Sequence, residues 1–135
     1  MTAQSSGPAS TLSLTAIRVT DLPRSAAFYL HGCGFVHERD LETTTFRASI
    51  VRAGAAGLEL LVPASPEPAE PGNALVKLVL AVDDAAAAVA AACAHGGTVE
   101  MSLTLLEKYG TVIGTVRDPD GHLVEFVQTE AAGTA

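Results

Sequence analysis

The chain has 135 residues, 48% of them hydrophobic, 17% charged and 4% aromatic, with no Trp. That is the size and make-up of one globular domain, and it excludes disordered and collagen-like classes. Eight basic against fifteen acidic side chains give a formal charge of -7, a surface that repels phosphate backbones and argues against nucleic acid as a partner.

In chain order, the opening MTAQSSGPAS is small and polar and reads as a flexible arm over residues 1–10. It has neither a basic stretch nor an apolar core, so a secretory leader is not expected. From residue 12 a run of period two puts Thr15, Ile17 and Val19 on one face and Leu14, Ala16 and Arg18 on the other. Asp21 then caps a helix expected over residues 22–31, which ends at Gly32 and Gly34. Three strand-like runs follow, over residues 35–40, 43–53 and 58–63. Thr43, Thr44 and Thr45 read as a polar patch on the second of these. The stretch PASPEPAEPGN, rich in Pro and Glu, breaks the chain in two.

The second half repeats the first. Aligning Val19 with Val82 also aligns Asp21 with Asp84 and Gly34 with Gly97. Leu78, Leu80 and Val82 alternate with Lys77, Val79 and Ala81. An Ala-rich helix is expected over residues 84–95, then strands over 98–103, 111–117 and 122–128. Asp118, Pro119, Asp120 and Gly121 mark a hairpin turn before the last strand, and Arg117 and Asp120 read as simple turn residues. On that strand Val124 and Phe126 face the helices, while Leu123, Glu125 and Val127 face away. Each half is therefore a β-α-β-β-β module of an α+β fold. The modules cover residues 11–63 and 74–130, joined by a Pro-rich linker over 64–73, with a loose end at 131–135. Strands that are apolar on both faces line a cavity or a partner subunit.

Two cysteines make neither a disulfide framework nor a zinc cluster, so the reducing cytoplasm is the expected setting. Cys93 reads as a small core residue. Cys33, in a turn near His31 and His37, is a minor candidate for a catalytic thiol. His31, His95 and His122 lie at turns or element ends, and His37 reads as a surface or edge side chain. No apolar run approaches the ~20 residues that span a bilayer.

The stretches AIRVTDLPRSAAFY, GCGF, GLELLVP, VKLVLAVDD and VRDPDGHLVEFVQ resemble the vicinal oxygen chelate superfamily, the glyoxalase, bleomycin-resistance and extradiol-dioxygenase group, over about residues 12–129. The resemblance implies two modules whose sheets form a curved cup of mixed strands, a homodimer, and a small-molecule site within the cup. It also implies four metal-ligand positions, which fall at Leu14, Glu59, Lys77 and Glu125. Leucine offers no donor atom, and a lysine ammonium has no free lone pair. Both nitrogen donors are thus replaced, and neither a bound metal nor another cofactor is expected. A lysine among two carboxylates compensates the charge that a dication would have supplied. Glu59, Lys77 and Glu125 are therefore expected to form a catalytic acid/base cluster in the metal's place, the alternative being a salt bridge that only balances charge. Arg18, which resembles an anion-binding arginine of glyoxalase-like members, is a substrate-binding candidate beside Leu14, Lys108 and Tyr109.

Three functions follow. The first is a metal-independent isomerase, lyase or cyclase acting on a small oxygenated or carboxylated metabolite. The second is a non-catalytic binder of the bleomycin-resistance kind; the acidic charge suits a cationic drug, but few aromatics are available to stack on it. The third is a metal-dependent glyoxalase or dioxygenase with its ligands elsewhere.

Overall fold

The computed structural model describes residues 7–65 and 67–129. Residues 1–6 of the expected arm and the end at 131–135 lie outside them. The first module runs β1 (Leu14–Arg18), α1 (Leu22–Ala27), β2 (Val36–Glu42), β3 (Phe46–Ala53) and β4 (Ala56–Pro63). The second runs β5 (Leu78–Ala81), α2 (Ala85–Ala94), β6 (Thr98–Leu106), β7 (Thr111–Arg117) and β8 (Leu123–Thr129). Each makes a mixed four-stranded sheet, ordered β1-β4-β3-β2 and β5-β8-β7-β6. The first and last strands of each module run parallel, and the remaining pairs are antiparallel. The helix is the crossover that a parallel pair requires.

Both helices start as their sequence dictates. The Asp21 carboxylate accepts from the Arg24 amide at 3.0 Å, and Asp84 accepts from Ala87 at 3.0 Å. The first helix departs from expectation at its far end, where Phe28–Gly32 widens into a π-helical turn. Phe28 and Tyr29, successive in sequence, are both fully buried there and pack edge to face at 4.8 Å. Gly34 and Gly96, just past the two helices, have positive φ of 77° and 103°, the conformation that favours glycine at a helix end.

Residues 43–45 are a correction to the expected strand. Thr43 Oγ1 accepts from the amides of Thr45 and Phe46 at 3.2 and 3.1 Å. A side-chain oxygen thus takes donors that a strand would have sent to its neighbour, and the three threonines form the β2–β3 turn.

The helix-facing sides of both sheets share one core. Ile17, Val19, Leu58 and Leu60 from the first sheet and Val116, Val124 and Phe126 from the second cluster with Phe28, Tyr29 and Ala92. The modules meet through the π-helical turn and α2, where a side chain on Gly32 would come within 3.2 Å of Ala92 Cα. No described strand of one sheet pairs with a strand of the other.

Candidate active site

Strand alternation decides what reaches the faces turned away from the core. Leu78 and Leu80 on β5 and Val82 just after it pack against the core, so Lys77 and Val79 point to the opposite side. On β8, Val124 and Phe126 are fully buried in the core, which turns Glu125 to that same opposite side. Val79 is the register partner of Glu125. Lys77, one residue before β5, extends along this face and places Nζ 2.6 Å from Glu125 Oε1. The glutamate side chain is 13% exposed and the lysine 40%. A mostly buried carboxylate is held by a half-solvated ammonium, a charge-assisted pair in a partly desolvated setting.

Glu59 occupies the equivalent place on the first sheet. Leu58 and Leu60 enter the core, so Glu59 faces away from it, in register with Ala16 on β1 and Ile50 on β3. No hydrogen bond or ion pair among the described residues joins it to Lys77 or Glu125. The structure thus brings together two of the three expected acid/base residues within one chain.

Leu14 begins β1, half-buried and opposite Gly57. Arg18 ends β1, exposed, with Nη1 3.7 Å from Glu67 of the linker. Lys108 and Tyr109 lie on an exposed 3-10 turn between β6 and β7, the ammonium 5.5 Å from the ring centroid. None of these four hydrogen-bonds to the Lys77–Glu125 pair.

A cavity of about 690 Å³ opens along β5, with Thr15, Cys33, Phe35, Leu75, Lys77 and Leu80 in its wall. Lys77 is its charged member. Cys33 in that wall is no nucleophile: burial, and then the Asp118 charge, push its thiol up to about 12, which leaves it protonated at neutral pH.

The four positions expected to ligate a metal do not fit one. Leu14 has no donor atom, and the Lys77 ammonium occupies Glu125. Among the described residues no three His, Cys, Asp or Glu side chains converge.

Sequence reasoning missed a buried network on the other side of the second sheet. Tyr29 Oη donates to Asp118 Oδ2 at 2.7 Å, and His122 Nδ1 lies 2.9 Å from the same oxygen. Asp118 Oδ1 accepts the amides of Asp120 and His122, both at 2.9 Å. Burial alone would raise the Asp118 pKa, but the hydrogen bonds from His122 and Tyr29 outweigh it and hold the carboxyl below its usual range. His122 is raised, first by its bond to Asp118, against the opposing effect of burial. Asp120, read as a simple turn residue, instead reaches the first module. It accepts from the Thr20 amide at 3.2 Å, Arg24 Nη2 at 3.1 Å and Ser25 Oγ at 3.3 Å. The DPDGH stretch was visible in sequence, but its partners lie about 90 to 100 residues away. Arg117 donates to the Gly121 carbonyl of its own hairpin at 3.0 Å and also pairs with Glu100 on the adjoining β6.

The family model described as the glyoxalase/bleomycin resistance protein/dioxygenase superfamily matches residues 11–126. A lactoylglutathione lyase of Salmonella typhimurium is 33% identical over 125 residues, covering 88% of this chain and 93% of that protein. The lactoylglutathione lyase of Haemophilus influenzae is 32% identical over 123 residues, covering 87% and 91%. Glyoxalase I from Zea mays superposes with a TM-score of 0.79 at 21% identity, over 88% of this chain and 44% of the maize chain. At that identity the likeness is one of fold, and this chain spans under half of the maize protein.

Proposed function

The chain belongs to the glyoxalase/bleomycin resistance protein/dioxygenase superfamily, and from that premise we propose that it is a glyoxalase-like enzyme that works by acid/base chemistry without a metal. Its substrate is a small oxygenated or carboxylated metabolite. The observation that carries this reading is the 2.6 Å contact between Lys77 and Glu125, at positions where the resemblance calls for metal ligands. The lactoylglutathione lyases similar to this chain suggest a first compound to try, the hemithioacetal of methylglyoxal and glutathione.

In this reading Glu125 is the base. It takes the proton from the carbon that bears the substrate hydroxyl, and the electron pair moves into the adjacent carbonyl. The Lys77 ammonium donates a hydrogen bond to the oxygen on which negative charge grows, the task otherwise suited to a Lewis acid. The protonated Glu125 returns the proton to the neighbouring carbon, while the hydroxyl proton passes from its own oxygen, which becomes the new carbonyl, to the former carbonyl oxygen. Atoms balance as an isomerisation, with no oxidant or reductant.

The same reading makes the working unit a homodimer joined at module edges. β1 and β5 each pair on one side only, and Glu59 has no ion-pair partner among the described residues. A second copy that lays its Glu59 face against the Lys77–Glu125 face completes the three-residue cluster. Free Cys33 and Cys93 suit a reducing compartment such as the cytoplasm, and among the described residues no helix is long and apolar enough to cross a membrane.

A second reading, a binder without turnover, draws on the mostly apolar wall of the cavity beside β5. One experiment separates the readings: turnover of the hemithioacetal by protein stripped with chelator, with metal content measured before and after. Undiminished turnover supports the proposal. Saturable binding without turnover favours the binder. Stoichiometric metal whose removal abolishes turnover overturns metal independence.

A further inference from the structure

Among the described buried side-chain polar atoms, Thr115 Oγ1 alone has no hydrogen-bond partner. The residue is 5% exposed. Native proteins pair nearly all such atoms. A threonine with no use for its hydroxyl would be better replaced by valine, which has the same shape and nothing to desolvate.

The position of Thr115 gives the hydroxyl a direction. Its neighbours on β7, Gly114 and Val116, face the helix side. Val116 is in the core, and a side chain on Gly114 would come within 3.2 Å of Val89 on α2. Thr115 therefore faces the other way, towards the side that carries Glu125. It is in direct register with Glu125 on β8 and with Met101 on β6. Val79, Glu125, Thr115 and Met101 thus form one row across the sheet. Its two polar members are adjacent and its ends are apolar. Val79 is 55% and Met101 36% exposed, so the row is open to solvent at both ends while its polar centre is covered.

We infer that Thr115 is a ligand-binding residue: its hydroxyl donates to a carbonyl oxygen of a small ligand whose neighbouring hydroxyl donates to Glu125. Directly paired strand residues hold their side chains roughly 5 Å apart, a spacing bridged by a ligand with oxygens on adjacent carbons. Both register partners of Thr115 carry movable side chains. Met101 is a flexible thioether, and Glu125 is held in place by Lys77. A ligand that draws Lys77 away from Glu125 and displaces these side chains supplies the hydroxyl's missing partner. In the free protein the hydroxyl is desolvated and waits for one.

This inference rests on the reading of Lys77 and Glu125 as the working pair, and the experiment keeps the two apart. Thermal unfolding and steady-state turnover of the methylglyoxal–glutathione hemithioacetal are measured on the unaltered chain, Thr115→Val, Thr115→Ser and Lys77→Met. Thr115→Val is expected to melt higher by about 3 °C, since a buried unpaired hydroxyl is removed, and to raise KM about tenfold, the loss of one hydrogen bond to ligand at ~1.4 kcal/mol per tenfold. Thr115→Ser keeps the hydroxyl and should restore KM. A lower melting temperature for Thr115→Val would mean that the hydroxyl already has a structural partner, and would overturn the inference. So would an unchanged KM in Thr115→Val when Lys77→Met is impaired; that result leaves the pair standing and removes Thr115 from the site. Normal turnover in Lys77→Met, or none in the unaltered chain, overturns the reading of the pair and this inference with it.

Discussion

Tyr29, in the first module, donates its phenolic hydrogen to Asp118 of the second at 2.7 Å, with both side chains withdrawn from solvent. This bond crosses 89 positions of sequence and fastens the π-helical turn to the loop that precedes β8. Removing the donor leaves a buried carboxylate with one partner fewer. Tyr29→Phe should cost about 1–3 kcal/mol, read as a fall in the denaturant midpoint at unchanged slope. Loss of less than ~0.5 kcal/mol would show that this bond adds little to the contact between the modules.

The same network sets a pH window. Asp118 is depressed below its ordinary 3.8, so its stabilising effect is present above that value and is lost as pH falls through the lower folded value. His122 is raised above 6.5, so its contribution is complete below 6.5 and is lost as pH rises through the folded value. Stability should therefore be greatest between these limits, with one loss in acid and another as pH rises beyond 6.5. His122→Gln should flatten the alkaline limb of a stability-against-pH curve and also shrink the acid limb, because His122 supplies the first of the hydrogen bonds that hold the Asp118 carboxyl down. An alkaline limb that survives this change would assign it to another group.

Lys77 and Glu125 make a different kind of pair. With the lysine 40% exposed, solvent screens the attraction, and breaking it should cost about 1 kcal/mol rather than the ~3–5 kcal/mol of a fully buried pair. Lys77→Met should thus remain folded. Its turnover should fall by about 100-fold or more if the ammonium stabilises developing charge. Glu125→Gln, which removes the base, should fall at least as far. A folded Lys77→Met variant with normal turnover would leave the contact as a salt bridge alone.

Gly97 tests the packing between modules without touching the face that carries Glu125. A side chain there would stand 2.6 Å from Val116 Cγ1, 2.8 Å from Phe28 Cε1 and 2.9 Å from the Ala92 carbonyl. Those atoms belong to β7, the π-helical turn and α2, so no single neighbour can yield. Gly97→Ala should destabilise by about 1–3 kcal/mol in thermal or denaturant unfolding. A neutral result would mean that the helix layer shifts as a body.

The repeat that pairs Val19 with Val82 and Asp21 with Asp84 was legible because it is local. Alternation of period two, an acidic cap and a closing glycine each act over a few residues, and together they specify two β-α-β-β-β modules. Alternation also places Lys77 and Glu125 on a common face, since a strand leaves a side chain only two sides to choose from. The turn at Thr43 escaped because threonine suits a strand by propensity, and its competing hydroxyl hydrogen bond depends on a local geometry that composition does not reveal.

Other relations required the tertiary structure. Tyr29 and Asp118 are near-neighbours only because the helix layer of one module packs on the other, and no pattern within either module encodes that distance. Thr115 is unpartnered because of what the strands on either side of it, β6 and β8, place beside it, which its own strand cannot state. Glu59 stands apart from Lys77 and Glu125 within the chain because the two sheets share a core through their helix sides and pair no strands with each other. Sequence determined which face each side chain takes, a choice made by backbone geometry over neighbouring residues. Tertiary structure decided which faces meet, because that depends on contacts between residues far apart along the chain.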